Sequence, residues 1–176
     1  MTRSELEHVI RAAGAAAADR EIVVIGSQAL LGEYPGAPSA LLASMRADVF
    51  PNNHPQRAYK IDDAVGEGSR FHEQFGYHAQ AVSASTATLP KGWRKRLVRV
   101  DHESIGGVVG LCLELHDLAI SKYVAGRETD LAFTAALARR DMVDRKELRQ
   151  RLALTAVPAA LGKLVQLRIE RDFRLV

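Results

Sequence analysis

Five groups of residues in this chain carry side chains that chemistry could use. The apolar run "VVIGSQALLGEYPG" halts at Gly26-Ser27 and then resumes as a helix-forming stretch. Glycine there lets the backbone approach a ligand closely, and a helix starting at once would aim its free N–H groups at an anion such as a phosphate. An ordinary strand-to-helix turn reads the same way, so the dipeptide alone leaves both readings open. Asp48 lies within the strand-like "MRADVFP", on the face shared with Arg46 and Phe50. A strand carboxylate of this kind serves metal-dependent phosphoryl transfer, where it holds Mg²⁺ against phosphate oxygens. The same carboxylate paired with Arg46 is a plain ion pair. Its neighbours two residues away are Arg46 and Phe50, so no acidic pair forms.

Further along, "DLAISKYVAGRETDLAF" sets Asp117, Lys122, Arg127 and Asp130 into an otherwise apolar helical region. On one straight helix Lys122 and Asp130 would stand about 12 Å apart along the axis. Gly126 permits a break, after which a second helix folds back with Asp130 near its positive N-terminus. A solvated helix face is the competing reading. In "LPKGWRKRLVR", Lys91, Arg94, Lys95, Arg96 and Arg99 surround the single tryptophan, Trp93. Such a patch suits phosphates, with the indole available for stacking, and a solvated β-hairpin suits it equally. The fifth group, Glu67, His72, Glu73 and His78 in "GEGSRFHEQFGYH", misses the H-E-x-x-H zinc spacing.

The elements that must position these residues follow from pattern. "SELEHVIRAAGAAAA" opens with Ser4 and Glu7 spaced as a capping box, and Leu6, Val9, Ile10 and Ala13 recur at helical spacing. "EIVVIG" is a β-branched strand of the type buried on both faces, and "QALLGEY" a short helix. "MRADVFP" is a strand, "AYKIDDAVGEG" a helix, "FHEQFGYHAQAVS" and "RLVRV" strands joined by a turn-rich segment, and "VVGLCLEL" a strand. From residue 116 onward the pattern is helical, with Asp144 and Glu147 spaced as a cap and Pro158 fit for a first turn. The fold class expected is α/β or α+β: a mixed sheet flanked by helices over residues 1–115 and a helical part over 116–176 packed on that core, one domain overall.

Composition narrows the function classes. The 176 residues are 47% hydrophobic and 26% charged, ordinary globular values, with a net charge of +3 that permits nucleic-acid contact without demanding it. One cysteine, Cys112, inside an apolar run excludes an internal disulfide framework and points to a reducing, cytoplasmic setting. No run of 18 apolar residues and no leader-like segment stands out, so no membrane association is expected.

Taken in order, the Gly-Ser after a buried strand, the strand aspartate and the late "DLAISKYVAGRETD" resemble the nucleotidyltransferase superfamily of the polymerase-β type. More narrowly they resemble its bacterial branch of AbiE-type and MenT-type toxins, or an uncharacterised subgroup close to it, over roughly residues 20–140. The resemblance implies that Gly26 and Ser27 hold the triphosphate, that Lys122 and Arg127 contact the nucleotide, that Asp48 binds Mg²⁺, and that Asp48, Lys122 and the late acidic residue Asp130 are catalytic. It implies transfer of a nucleotidyl group from a nucleoside triphosphate to RNA, typically a tRNA, with Lys91, Trp93, Arg94, Lys95 and Arg96 as RNA contacts. It further implies a toxin role opposed by an antitoxin protein. Arg46 departs from the [DE]-x-[DE] pattern at the metal. The alternative is therefore a member of the fold that binds a nucleotide or partner and does not catalyse.

Overall fold

The computed structural model describes residues 1–174. Its chain divides into two compact units: Met1–Thr86 with Leu97–Glu114, and Ala87–Arg96 with the chain from Leu115 onward.

The first unit is built on a five-stranded mixed sheet. β1 (Glu21–Val24) pairs antiparallel with β2 (Arg46–Pro51) and parallel with β5 (Val109–Cys112). β3 (His78–Ala81) runs parallel to β2, and β4 (Val98–Val100) antiparallel to β5, giving the order β3-β2-β1-β5-β4. Ile22, Val23 and Val24 of the central β1 are fully buried, as its unbroken β-branched run requires. β2 alternates, with Ala47 and Val49 buried and Arg46 and Asp48 on the more open face.

Helix α1 (Arg3–Ala17) covers the sheet with Leu6, Val9, Ile10, Ala13 and Ala17. A Cβ on Gly110 of β5 would lie 2.6 Å from Ile10 Cδ1, so glycine is what lets helix and strand meet so closely. The cap of α1 differs from expectation. Thr2 and Glu5 form the capping box, two residues before the Ser4–Glu7 spacing, and Glu7 instead pairs with Arg3 at 2.8 Å and accepts from Ser104. Both pairs satisfy the S/T-x-x-E pattern, and the earlier one covers the N–H groups where the helix starts.

Two other expectations are corrected. "QALLGEY" forms a 3-10 helix, Ser27–Gly32, in place of an α-helix. The segment from Phe71 is first a helix, α3 (Arg70–Phe75), capped by Ser69 and closed by Gly76 at φ 77°, and only then the strand β3. Phe71 and Phe75 meet on one helical face with their ring centroids 5.0 Å apart and tilted by 54°, with His8 and Tyr77 around them, and that i,i+4 contact outweighs the strand reading. α2 (Tyr59–Val65) precedes it. β3 and β4 form no hairpin; they are opposite edges of the sheet.

The second unit is helical: α4 (Leu115–Ala125), α5 (Glu128–Ala138), α6 (Arg145–Ala153) and α7 (Ala159–Arg174). Asp144 caps α6 by accepting from Glu147 N–H at 2.8 Å. Buried Asp172 of α7 accepts from Tyr123 of α4 at 3.0 Å and Thr134 of α5 at 3.2 Å, pinning three helices together. Among the described residues no helix is long and apolar enough to cross a membrane.

Candidate functional site

The end of β1 and the open face of β2 make a corner in the first unit. β1 continues its pairing one residue past its end, Ile25 N–H donating to the Asp48 carbonyl at 3.0 Å, and this sets Gly26 against Asp48. A Cβ on Gly26 would stand 2.7 Å from Asp48 Oδ2 and 3.0 Å from its Cγ. Gly26 has φ −80°, open to any residue, so space and not backbone conformation demands glycine here. Ser27 begins the 3-10 turn, and Gln28 ties that turn to the approach to β2 by donating to the Ser44 carbonyl at 2.9 Å. Ser44 in turn caps the strand, its Oγ accepting from Arg46 N–H at 3.1 Å.

Arg46 lies on the same face as Asp48, with its Nε 3.0 Å from Asp48 Oδ1. This is a charge contact without hydrogen-bond alignment: Oδ1 is buried and has no hydrogen-bond partner. The resemblance implies Mg²⁺ at Asp48, and the donor set does not fit it. A magnesium site wants oxygen ligands and negative charge, whereas here the carboxylate oxygen is faced by a guanidinium. No group of three or more His, Cys, Asp or Glu side chains suited to a metal ion occurs among the described residues.

Beside the corner, a cleft of about 340 Å³ opens along β2 and β3, lined by Arg46, Asp62, Glu67, His78 and Gln80. The parallel register sets His78 opposite Arg46 and Gln80 opposite Asp48. His72 reaches the same place from α3, its ring 4.5 Å from that of His78. The "GEGS" loop fixes His72: Gly68 N–H donates to its Nδ1 at 3.0 Å, which leaves the proton of the neutral ring on Nε2. Burial holds the His78 imidazole below the ordinary histidine range, His72 and Arg46 add to that, and Glu67 and Asp48 pull the other way. This neutral imidazole beside Arg46 was not assigned from sequence; the signal that finds it is strand register, which places residues 46 and 78 side by side.

In the second unit the break at Gly126 forms as expected. Gly126 has φ 67°, closes α4, and is followed by α5. Asp130 stands in the first turn of α5, with Lys122 Nζ at 2.9 Å and Arg127 Nε at 3.0 Å. Lys122, Arg127 and Asp130 thus form one ion cluster. Asp117, fully buried in α4, accepts from Arg96 twice, at 2.9 and 3.0 Å, and has Arg151 Nε at 3.0 Å. Arg96 is therefore turned inward, away from the basic surface. Lys91, Arg94 and Lys95 remain exposed, and the Arg94 guanidinium covers the Trp93 ring at 4.6 Å. Cys112 is buried, and burial pushes its thiol up to about 12, so it packs as a small apolar side chain.

The sheet with its glycine turn, the strand aspartate and the broken α4–α5 pair are thus all present, with the acidic pair altered by Arg46. No curated protein and no solved structure matches the chain. One family model matches residues 4–164, nearly the whole of it, and the chain belongs to that family, described as nucleotidyltransferase of unknown function (DUF6036).

Proposed function

We propose that this chain is a nucleotide-binding member of the nucleotidyltransferase fold whose polyphosphate site is the Gly26–Ser27 turn with Arg46 beside it, and which works there without a divalent cation. The observation that carries this is the Arg46 guanidinium 3.0 Å from Asp48 Oδ1. Two carboxylates at this corner would carry two negative charges and repel a triphosphate until a metal neutralised them. The Arg46–Asp48 pair is neutral by itself, and its guanidinium is a permanent cation with several N–H donors suited to phosphate oxygens. Gly26 keeps the turn close to that pair because no Cβ intervenes. Calorimetric titration of ATP in EDTA and again in Mg²⁺ tests the reading. Saturable binding in EDTA that Mg²⁺ does not strengthen is the expected result, with Arg46→Ala weakening it about tenfold, the worth of one charge-assisted contact. Binding that appears only with Mg²⁺ overturns it.

A second reading is nucleotidyl transfer from a nucleoside triphosphate to tRNA, with the chain as a toxin countered by an antitoxin. Two features support it: Asp48 stays packed on the Gly26 turn, and Lys91, Arg94 and Lys95 are exposed around Trp93. Labelled nucleotide appearing on tRNA, together with a growth defect on expression, would establish this reading over the first. Absence of both with each triphosphate, in Mg²⁺ or Mn²⁺, leaves binding as the function.

A further inference from the structure

Two packed helices leave a groove between them wherever the side chains at their contact are small. In the second unit the end of α6 and the start of α7 leave one of about 410 Å³. Leu152 and Ala153 of α6, Val157 of the connecting turn and Gly162 of α7 give it an apolar lining, completed by Arg149 and Gln166. Gly162 keeps it open. A Cβ there would have Val157 Cγ2 at 3.6 Å as its one neighbour within 4 Å outside its own helix, an ordinary contact. Packing therefore does not demand glycine at this place. The helix does not want it either, since glycine inside a helix is destabilising relative to alanine.

The free charges on these two helices have one sign. Lys146 and Arg149 stand on α6, and Lys163 follows Gly162 on α7, all three exposed. Among the described residues, no acid of either helix is left to answer them. Glu147 holds Arg151 at 2.7 Å, Glu170 accepts from Arg149 Nε at 2.8 Å and has Arg145 at 3.5 Å, and Asp172 is buried.

We propose that this groove seats an acidic amphipathic helix of a protein partner, with leucine-sized side chains laid over Gly162 and carboxylates set against Lys146, Arg149 and Lys163. Apolar anchors spaced i, i+3 or i+4 along a helix fill such a groove, and rim cations steer a negative partner to it. A second copy of this chain is the wrong occupant. Its exposed leucines, Leu164 and Leu167, are 43% and 66% accessible, but they share α7 with Lys163, Arg171 and Arg174, so like charges would meet. RNA would find the cations, yet no aromatic side chain lines the groove for a base to stack on. A small ligand needs enclosure, whereas exposed Ala153 leaves this wall open to solvent. The proposal is independent of the nucleotide reading, and its test contains no nucleotide.

The probe is a fluorescein-labelled synthetic helix with leucines along one face and glutamates on both flanks, titrated with the full chain and followed by anisotropy. The same peptide with lysine at every glutamate position is the control. Wild type is expected to bind the acidic peptide saturably and the lysine peptide far more weakly. Gly162→Leu fills the groove from its own floor and should weaken binding at least about tenfold, the worth of one excluded leucine-sized anchor. Its melting temperature should be no lower than that of wild type, because leucine is the better helix former. Lys163→Glu should weaken binding about threefold and flatten its salt dependence. Absence of saturable binding overturns the proposal, as does equal binding of the two peptides or an unchanged affinity in folded Gly162→Leu. Should Gly162→Leu not fold, exposed Ala153→Glu on the other wall sets a like charge against the peptide, and unchanged affinity there overturns the proposal equally. Sedimentation that shows wild type self-associating and Gly162→Leu monomeric would assign the groove to a second copy and overturn it too.

Discussion

Asp48 and Asp117 are both aspartates faced by arginine, and they are built for opposite purposes. Asp117 in the second unit is fully buried, takes a two-pronged contact from Arg96, and has Arg151 at 3.0 Å; Arg151 also holds Glu147 at 2.7 Å. Arg96 comes from the 87–96 segment, Asp117 from α4 and Arg151 from α6, so one carboxylate fastens three stretches of the chain. Asp48 in the first unit is 26% exposed, meets a single arginine from its own strand, and keeps one oxygen without a donor beside a cleft. A carboxylate whose oxygens are filled by protein donors holds a fold together. One that is left short, on an open strand face, has an oxygen that no protein donor fills, which is what the proposed nucleotide site rests on.

The largest effect should come from breaking the saturated site. Asp117→Ala leaves two arginines, 22% and 15% exposed in their side chains, without their buried counter-ion. Removing one partner of a buried ionic network costs about 3–5 kcal/mol. Urea unfolding should show that loss, with the 87–96 segment becoming sensitive to protease. A loss under about 1 kcal/mol, the ordinary worth of surface pairs, would erase the contrast with Asp48.

Asp19 supplies an intermediate case inside the first unit, a buried carboxylate saturated by neutral donors. It accepts from Glu21 N–H at 3.0 Å, from Asn53 N–H and Nδ2 at 2.8 Å each, and from His54 N–H at 2.9 Å. Burial alone would raise its pKa, but these donors together outweigh it and hold the carboxyl below its ordinary value of 3.8. A depressed folded pKa stabilises the protein fully above the ordinary value and loses that contribution as pH falls through the folded one. Asp19→Ala should therefore cost about 2–3 kcal/mol at neutral pH, from lost hydrogen bonds to a charged group. The gap between wild type and variant should narrow below pH 3.8, so a gap unchanged from neutral pH down to strong acid would refute the assignment.

How much of this was legible in the sequence differs between the two units for a physical reason. The sheet strands, the helical C-terminal part and the break at Gly126 follow from local pattern: β-branched runs, helical periodicity and a glycine between two charged helix ends. So does the meeting of Lys122 with Asp130, because both lie within one short hairpin of helices. Strand order does not follow from local pattern, and with it went the pairing of Arg46 with His78, which depends on β3 lying next to β2. The turn at Gly26 was legible as a glycine, but its reason was not. The sequence suggests close approach of a ligand to the backbone, whereas the fold uses the missing Cβ to bring Asp48 within reach. Arg96 groups with its basic neighbours in the sequence because a run of charges does not say which one turns inward to a buried aspartate.

Gly26→Ala tests the open corner directly. The new methyl would stand 2.7 Å from Asp48 Oδ2, forcing the carboxylate away from the turn. Overpacking of this kind costs about 1–2 kcal/mol, less than at Asp117 because the Asp48 side chain has room to move toward solvent. ATP binding in EDTA should fall by more than that stability loss alone explains, since the variant stays folded at the assay temperature. Unchanged affinity with a displaced Asp48 would separate the turn from the nucleotide site.

The smallest stability change is expected where the functional change is greatest. Arg46→Gln replaces the guanidinium with a shorter, neutral amide, removing the charge and the planar fork of donors while leaving a polar side chain on the strand face. The Arg46–Asp48 pair is 49% and 26% exposed, and ion pairs that water reaches contribute about 0–1 kcal/mol because hydration and side-chain ordering cancel most of the attraction. Asp48 Oδ1 also gains little from Arg46 as a donor, since the contact lacks hydrogen-bond alignment. The melting temperature of Arg46→Gln should accordingly stay close to that of wild type, in sharp contrast to Asp117→Ala. ATP affinity in EDTA should nonetheless drop about tenfold, because a phosphate meets the guanidinium's full charge at short range and the amide offers none. Calorimetry on the two proteins at one salt concentration reads both quantities. A variant that melts several degrees lower while binding ATP as wild type does would place Arg46 with Arg96 and Arg151, among the cations that hold the fold, and not with a ligand.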